Sequence, residues 1–143
     1  MERFEYPVLL KRAAEGGYVV TCRDLPAVTT QGEDKEDALA QAADAMDEAF
    51  ATLMKLDRPF PAPSEPRRGE RSISPPVETV AKAALYSSLR DANITKVQLA
   101  KQLGIDEKEV RRLLDPHYHS KLPRIAEAIS LLGKRLVISL ESA

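Results

Sequence analysis

A single cysteine, two histidines and no apolar run of membrane-spanning length set the first limits on this 143-residue chain. Cys22 alone excludes an internal disulfide and a cysteine-based zinc site, and its place in a strand-like run suits a small buried hydrophobe better than a nucleophile. The N-terminal MERFEYPV lacks the core of a signal peptide, so the expected location is cytoplasmic. There is no glycine-rich loop to cradle phosphate. His117 and His119 share one loop without a cysteine or serine arrangement beside them, a spacing that suits loop polar groups better than metal ligands. Asp24, Glu33, Asp34 and Asp37 suggest a carboxylate metal site for phosphodiester hydrolysis. However, Asp34 and Asp37 are explained by helix initiation, and Asp24 suits a turn with Leu25-Pro26. The chain is therefore expected to be no enzyme, with no catalytic residue, metal or cofactor.

What is present is the composition of a globular protein, 43% hydrophobic and 30% charged, with a length that suits one domain or two small ones. The net charge of −1 conceals an asymmetry. Residues 1–64 hold 7 Lys and Arg against 12 Asp and Glu, whereas residues 65–143 hold 14 against 10. An acidic front and a basic back imply two surfaces with different partners, the basic one suited to phosphate.

Alternation of Phe4, Tyr6, Val8 and Leu10 predicts a half-buried strand, with Pro7 pointing to an edge position or a bulge. Gly16-Gly17 turns the chain into a second strand over Tyr18–Arg23. Ala27–Thr30 offers a short third, ended by Gln31-Gly32. Asp34 caps a predicted helix from Lys35 to Met54, whose stripe is Leu39, Ala42, Met46, Ala49 and Leu53. Six of the ten prolines lie between Arg58 and Pro76, where helix cannot persist. That segment reads as a tether, with a short strand near Ser72–Ser74 returning to the sheet.

A helix starting near Pro76 carries Val77, Val80, Ala84, Leu85 and Leu89. The run TKVQLAKQLGIDEKEVRRLLD, Thr95–Asp115, then reads as two short helices around Gly104. Thr95 caps the first, Asp106 with Glu109 starts the second, and Val97, Leu99, Ala100, Leu103, Val110, Leu113 and Leu114 face a common core. The spacing of Ala100, Gly104, Val110 and Leu113 resembles the helix-turn-helix of phage-repressor-like regulators. On that reading Lys108, Arg111 and Arg112 face base edges, while Thr95, Lys96 and Gln98 meet phosphate. A last helix through Ile125, Ala128, Ile129 and Leu132 stops at Gly133. The alternation at 135–140 predicts a strand with no neighbour in its own half, so it is expected to pair with the same strand of a second chain.

The order of these motifs is similar to that of the HicB antitoxins: YPVLL, Gly16-Gly17 with Tyr18, Asp24-Leu25-Pro26, Thr30-Gln31-Gly32, Ala38, the run above, then His119, Lys121 and GKRLVISL. Ala27 departs from the glycine the family often places after Leu-Pro. The resemblance implies an α+β chain. Residues 1–62 would form an inactive partial ribonuclease-H-like β-β-β-α(-β) domain that binds a messenger-RNA-cleaving HicA-type toxin, through residues the sequence does not identify. Residues 63–76 would be the linker. Residues 77–143 would form a helix-turn-helix domain, ending in a strand, that dimerises, binds operator DNA and represses the operon. Dimer against tetramer stays open, and no membrane is involved. The alternative function is a stand-alone DNA-binding regulator whose N-terminal domain binds a small ligand or another protein.

Overall fold

Tyr6 and Val8, two positions apart on β1 (Tyr6–Arg12), are both fully buried, as a strand with one face on a core requires. The computed structural model describes residues 1–142, and the chain divides into two compact units, Met1–Val80 and Ala81–Ala143.

In the first unit β2 (Tyr18–Thr21), β3 (Thr29–Gly32) and β4 (Glu70–Ile73) join β1 in an antiparallel sheet of order β3-β2-β1-β4. The registers Leu10↔Val20, Val20↔Thr30 and Pro7↔Ser72 fix its alignment. β1 is therefore an interior strand, and its register with β4 runs unbroken through Pro7, which corrects the edge position or bulge expected there. The proline is tolerated because β2 pairs only from Leu9 onward, leaving Pro7 with a neighbour on the β4 side alone. The third strand also lies later than Ala27–Thr30, because the Val28 amide bonds back to Leu25 and holds that stretch in a turn.

Helix α1 (Lys35–Lys55) begins at Asp34, whose carboxylate accepts from the Asp37 amide at 2.8 Å while Asp37 accepts from the Glu33 amide at 2.8 Å. Its buried residues are Ala38, Ala42, Met46, Ala49 and Phe50. Leu39 and Leu53, placed on the stripe by periodicity, are only half-buried. The face is rotated toward Ala38 because the helix start sits on β3. There a Cβ on Gly32 would meet the Ala38 backbone nitrogen at 2.3 Å.

The proline-rich segment is not a loose tether. Tyr6 donates to the Pro61 carbonyl at 2.7 Å, and Asp24 accepts from both the amide and the hydroxyl of Ser64, at 2.8 and 2.6 Å. Arg23 donates to the Glu65 carbonyl and forks onto Glu70, which also takes the Arg67 amide. Phe60 packs against Phe4 and Phe50. This chain of contacts delivers residues 70–73 to the sheet edge, and burial together with the Asp24 and Cys22 charges pushes the Tyr6 phenol well above its ordinary pKa.

Helix α2 (Val77–Ala92) spans the division between the units. Within the second unit follow α3 (Lys96–Leu103), α4 (Glu107–Leu114) and α5 (Leu122–Leu131). Leu85, Leu89, Leu99, Val110, Leu113, Ile125 and Ile129 are buried. Val77 and Val97, expected in the core, are 77% and 47% exposed. Each occupies the opening turn of its helix, beyond the buried stripe. Residues 134–140 are neither helix nor strand in the single chain, against the strand expected at 135–140. A strand exists by its ladder, and among the described residues of the second unit no other strand offers that segment one.

Candidate nucleic-acid interface

Local chemistry fixes α3 at both ends and α4 at its start. Thr95 and Gln98 form a reciprocal capping box: the Thr95 hydroxyl accepts from the Gln98 amide at 3.1 Å, and Gln98 Oε1 accepts from the Thr95 amide at 2.8 Å. Gly104 ends α3 at φ 69°, ψ 32°, the left-handed conformation that glycine adopts without steric cost, and the Ile105 amide closes onto the Ala100 carbonyl at 3.0 Å. Two residues later Asp106 caps α4, accepting from the Glu109 amide at 2.9 Å. Between these stops only three residues, Gly104-Ile105-Asp106, turn the chain.

All six residues proposed for nucleic acid, Thr95, Lys96, Gln98, Lys108, Arg111 and Arg112, are exposed. Thr95, Lys96 and Gln98 stand together at the start of α3. The capping box engages the side-chain oxygens of Thr95 and Gln98 internally, so what they still offer is the hydroxyl proton and the side-chain NH₂. Lys108, Arg111 and Arg112 lie on the exposed side of α4, opposite Val110, Leu113 and Leu114.

The three cations of α4 differ in environment. Arg111 donates from Nη2 to Glu107 Oε1 at 2.7 Å, one helical turn back, with both side chains exposed. Such an i,i+4 pair stabilises by about 0.3–0.5 kcal/mol, against about 1–3 kcal/mol for a bidentate arginine on guanine. The bridge is therefore weak enough to open. Arg112 instead lies with its guanidinium carbon 5.3 Å from the centre of the Tyr118 ring.

Beneath them Lys82 of α2 is fully buried. Its ammonium donates to the Arg112 carbonyl and to Ser120 Oγ, each at 2.8 Å, and lies 5.8 Å from the Tyr118 ring. It thereby adds a second donor to a carbonyl in the last turn of α4 that also accepts from the Asp115 amide at 3.2 Å, where a cation complements the helix dipole. The sequence reading missed both Lys82 and Tyr118. The available signal was spacing, since Lys82 precedes Leu85 and Leu89 by three and seven residues and so falls on the apolar stripe.

Divided by unit, the charge is 10 Lys and Arg against 15 Asp and Glu in residues 1–80, and 11 against 7 in residues 81–143. Asp24, weighed above for a metal, has both carboxylate oxygens on Ser64. Among the described residues no group of three or more His, Cys, Asp and Glu is placed to hold a metal ion, and no helix is long and apolar enough to cross a membrane.

The architecture is that of a two-part α+β protein, an acidic sheet unit followed by a basic helical one. A family model described as the HicB-like antitoxin of bacterial toxin-antitoxin systems matches residues 5–84, and the chain belongs to that family. It is 30% identical over 141 residues to antitoxin HicB 1 of Photorhabdus laumondii subsp. laumondii, covering 99% of this chain and 90% of the relative. To antitoxin HicB of Escherichia coli (strain K12) it is 34% identical over 131 residues, 92% and 95% of the two chains. Antitoxin HicB of Pseudomonas fluorescens (strain Pf0-1) is 30% identical over 141 residues, 98% and 96% of the two. The family model ends inside α2; the relatives extend the likeness through α3, α4 and α5.

Proposed function

We propose that this chain is an antitoxin that binds and neutralises a HicA-type messenger-RNA-cleaving toxin and represses its own operon through α3 and α4, acting as a helix-turn-helix. The observation that carries the DNA half is the pairing of two capped eight-residue helices across a three-residue turn, with Lys108, Arg111 and Arg112 exposed along the second. The second unit's excess of cations supports the same reading, since duplex DNA binding draws on lysine and arginine.

In this reading the sheet unit, a partial ribonuclease-H-like domain, covers the toxin. Its excess of carboxylates speeds encounter with a basic partner and its apolar contacts hold the complex. Two copies of the chain join through the second unit, with residues 135–140 pairing strand to strand. Val137, Ile138 and Leu140, at 48%, 73% and 98% exposure, would then gain cover, and the two-fold would match a palindromic operator.

The experiment is co-expression with the product of the neighbouring small gene, followed by purification and a growth assay, and in parallel binding to the upstream DNA across a salt series. A complex with growth rescue, and DNA affinity that falls steeply with salt, are the expected results. Rescue without DNA binding would remove the repressor role, and DNA binding without a complex would leave a stand-alone regulator.

A further inference from the structure

We propose that Tyr118 is the positioning residue for Arg112 at the DNA interface, and that Arg112 rather than Arg111 is the arginine delivered to the duplex preordered. The inference rests on the helix-turn-helix reading above.

Arg111 and Arg112 are adjacent and both exposed, yet their partners differ in kind. Arg111 spends one of its five N–H donors on the Glu107 carboxylate, whose charge offsets its own and ties its fork to α4. Arg112 rests on an aromatic ring instead. A cation–π contact holds the guanidinium through the ring's quadrupole and consumes none of its N–H donors, so the fork stays available for a base or phosphate. An arginine held this way has already given up rotamer freedom that it would otherwise lose on binding.

The loop that carries the ring, with Tyr118 45% exposed, is itself held. Asp115 ends α4 and begins a turn in which the His117 amide donates to Asp115 Oδ1 at 2.9 Å and the Tyr118 amide to the Asp115 carbonyl at 3.1 Å, with Pro116 between. Lys82 bonds the Arg112 carbonyl and Ser120 and approaches the same ring. One buried ammonium thus anchors the backbone from which Arg112 springs and the loop that carries its stacking surface. The turn after α4 becomes part of the interface by aiming a side chain.

The test uses the full chain, the duplex it selects from a random library, and an alternating dI-dC duplex as non-specific DNA. Y118L is expected to weaken binding to the selected duplex by roughly two- to fivefold, with little change on dI-dC. Y118F, which keeps the ring, stays within about twofold of wild type on the same physical ground. In an R112A background Y118L adds no further loss. R112K, which retains the charge but not the planar fork, loses discrimination as Y118L does, so the proposal remains testable if Y118L folds poorly. Equal losses from Y118L with and without Arg112, wild-type behaviour of Y118L or of R112K, or a Y118F loss matching that of Y118L would each overturn the proposal while leaving DNA binding intact. A wild-type chain that selects no sequence would overturn both readings.

Discussion

Gly32, the last residue of β3, lies directly against Ala38 near the start of α1: a Cβ at Gly32 would fall 2.3 Å from the Ala38 nitrogen and 2.5 Å from its Cα. The atoms in the way are backbone, so no side chain can rotate to make room. Gly32→Ala is expected to cost about 1–3 kcal/mol, the usual range for overpacking a tight contact. A urea midpoint for the variant unchanged from wild type would show that helix and strand separate without cost.

The hydrogen bonds of Asp24 predict how the proline-rich segment behaves. Asp24→Ala leaves the Ser64 amide and hydroxyl without their acceptor, and a half-buried polar group so deprived costs about 1–3 kcal/mol. Tyr6→Phe removes only the bond to Pro61 and should cost less, about 0.5–1.5 kcal/mol. Trypsin should cleave after Arg67 and Arg68 faster in the Asp24 variant. Unchanged cleavage would mean that the aromatic contacts of Phe60 suffice.

Glu70 sets a pH dependence. The Arg23 fork, then the Arg67 amide, holds its carboxyl below the ordinary range, so protons bind it more readily in the unfolded chain. Its contribution is present above the unfolded value of about 4.3, and is lost as pH falls below that through the folded value. Glu70→Gln should therefore narrow the stability gap between neutral and acid pH. A gap identical to wild type across a pH series of urea midpoints would contradict the assignment.

Glu107 supplies a prediction of the opposite sign. On the DNA-binding reading, Glu107→Gln frees Arg111 and removes a carboxylate from the surface that approaches phosphate. Affinity for duplex should rise by roughly two- to tenfold at low salt, the gain shrinking as salt screens it. Weaker binding in a titration would instead give Glu107 a direct role, such as accepting from a cytosine.

The local rules carried far into the structure. The caps at Asp34, Thr95 and Asp106, the glycine stop at 104 and the hairpin through Gly16-Gly17 all stand where residue chemistry placed them. Each is decided within a few residues of chain, by a side-chain oxygen reaching an amide or by a backbone angle that glycine adopts freely. The partners of Pro7, Asp24 and Lys82 were not legible in the same way. They lie respectively 65, 40 and 30 residues away, in Ser72, Ser64 and Arg112.

By itself, then, the sequence determined where α1, α3 and α4 begin and end, the division into an acidic and a basic part, and the family to which the chain belongs. Only the tertiary structure decided that β1 is interior, that the proline-rich segment is bound along the sheet unit, that Lys82 is enclosed, and that Arg112 rather than Arg111 lies over the Tyr118 ring. The reason is physical. Caps and turns are satisfied by neighbours in the chain, whereas a buried ammonium or carboxylate takes whichever partner the packing brings to it, and packing depends on every element at once.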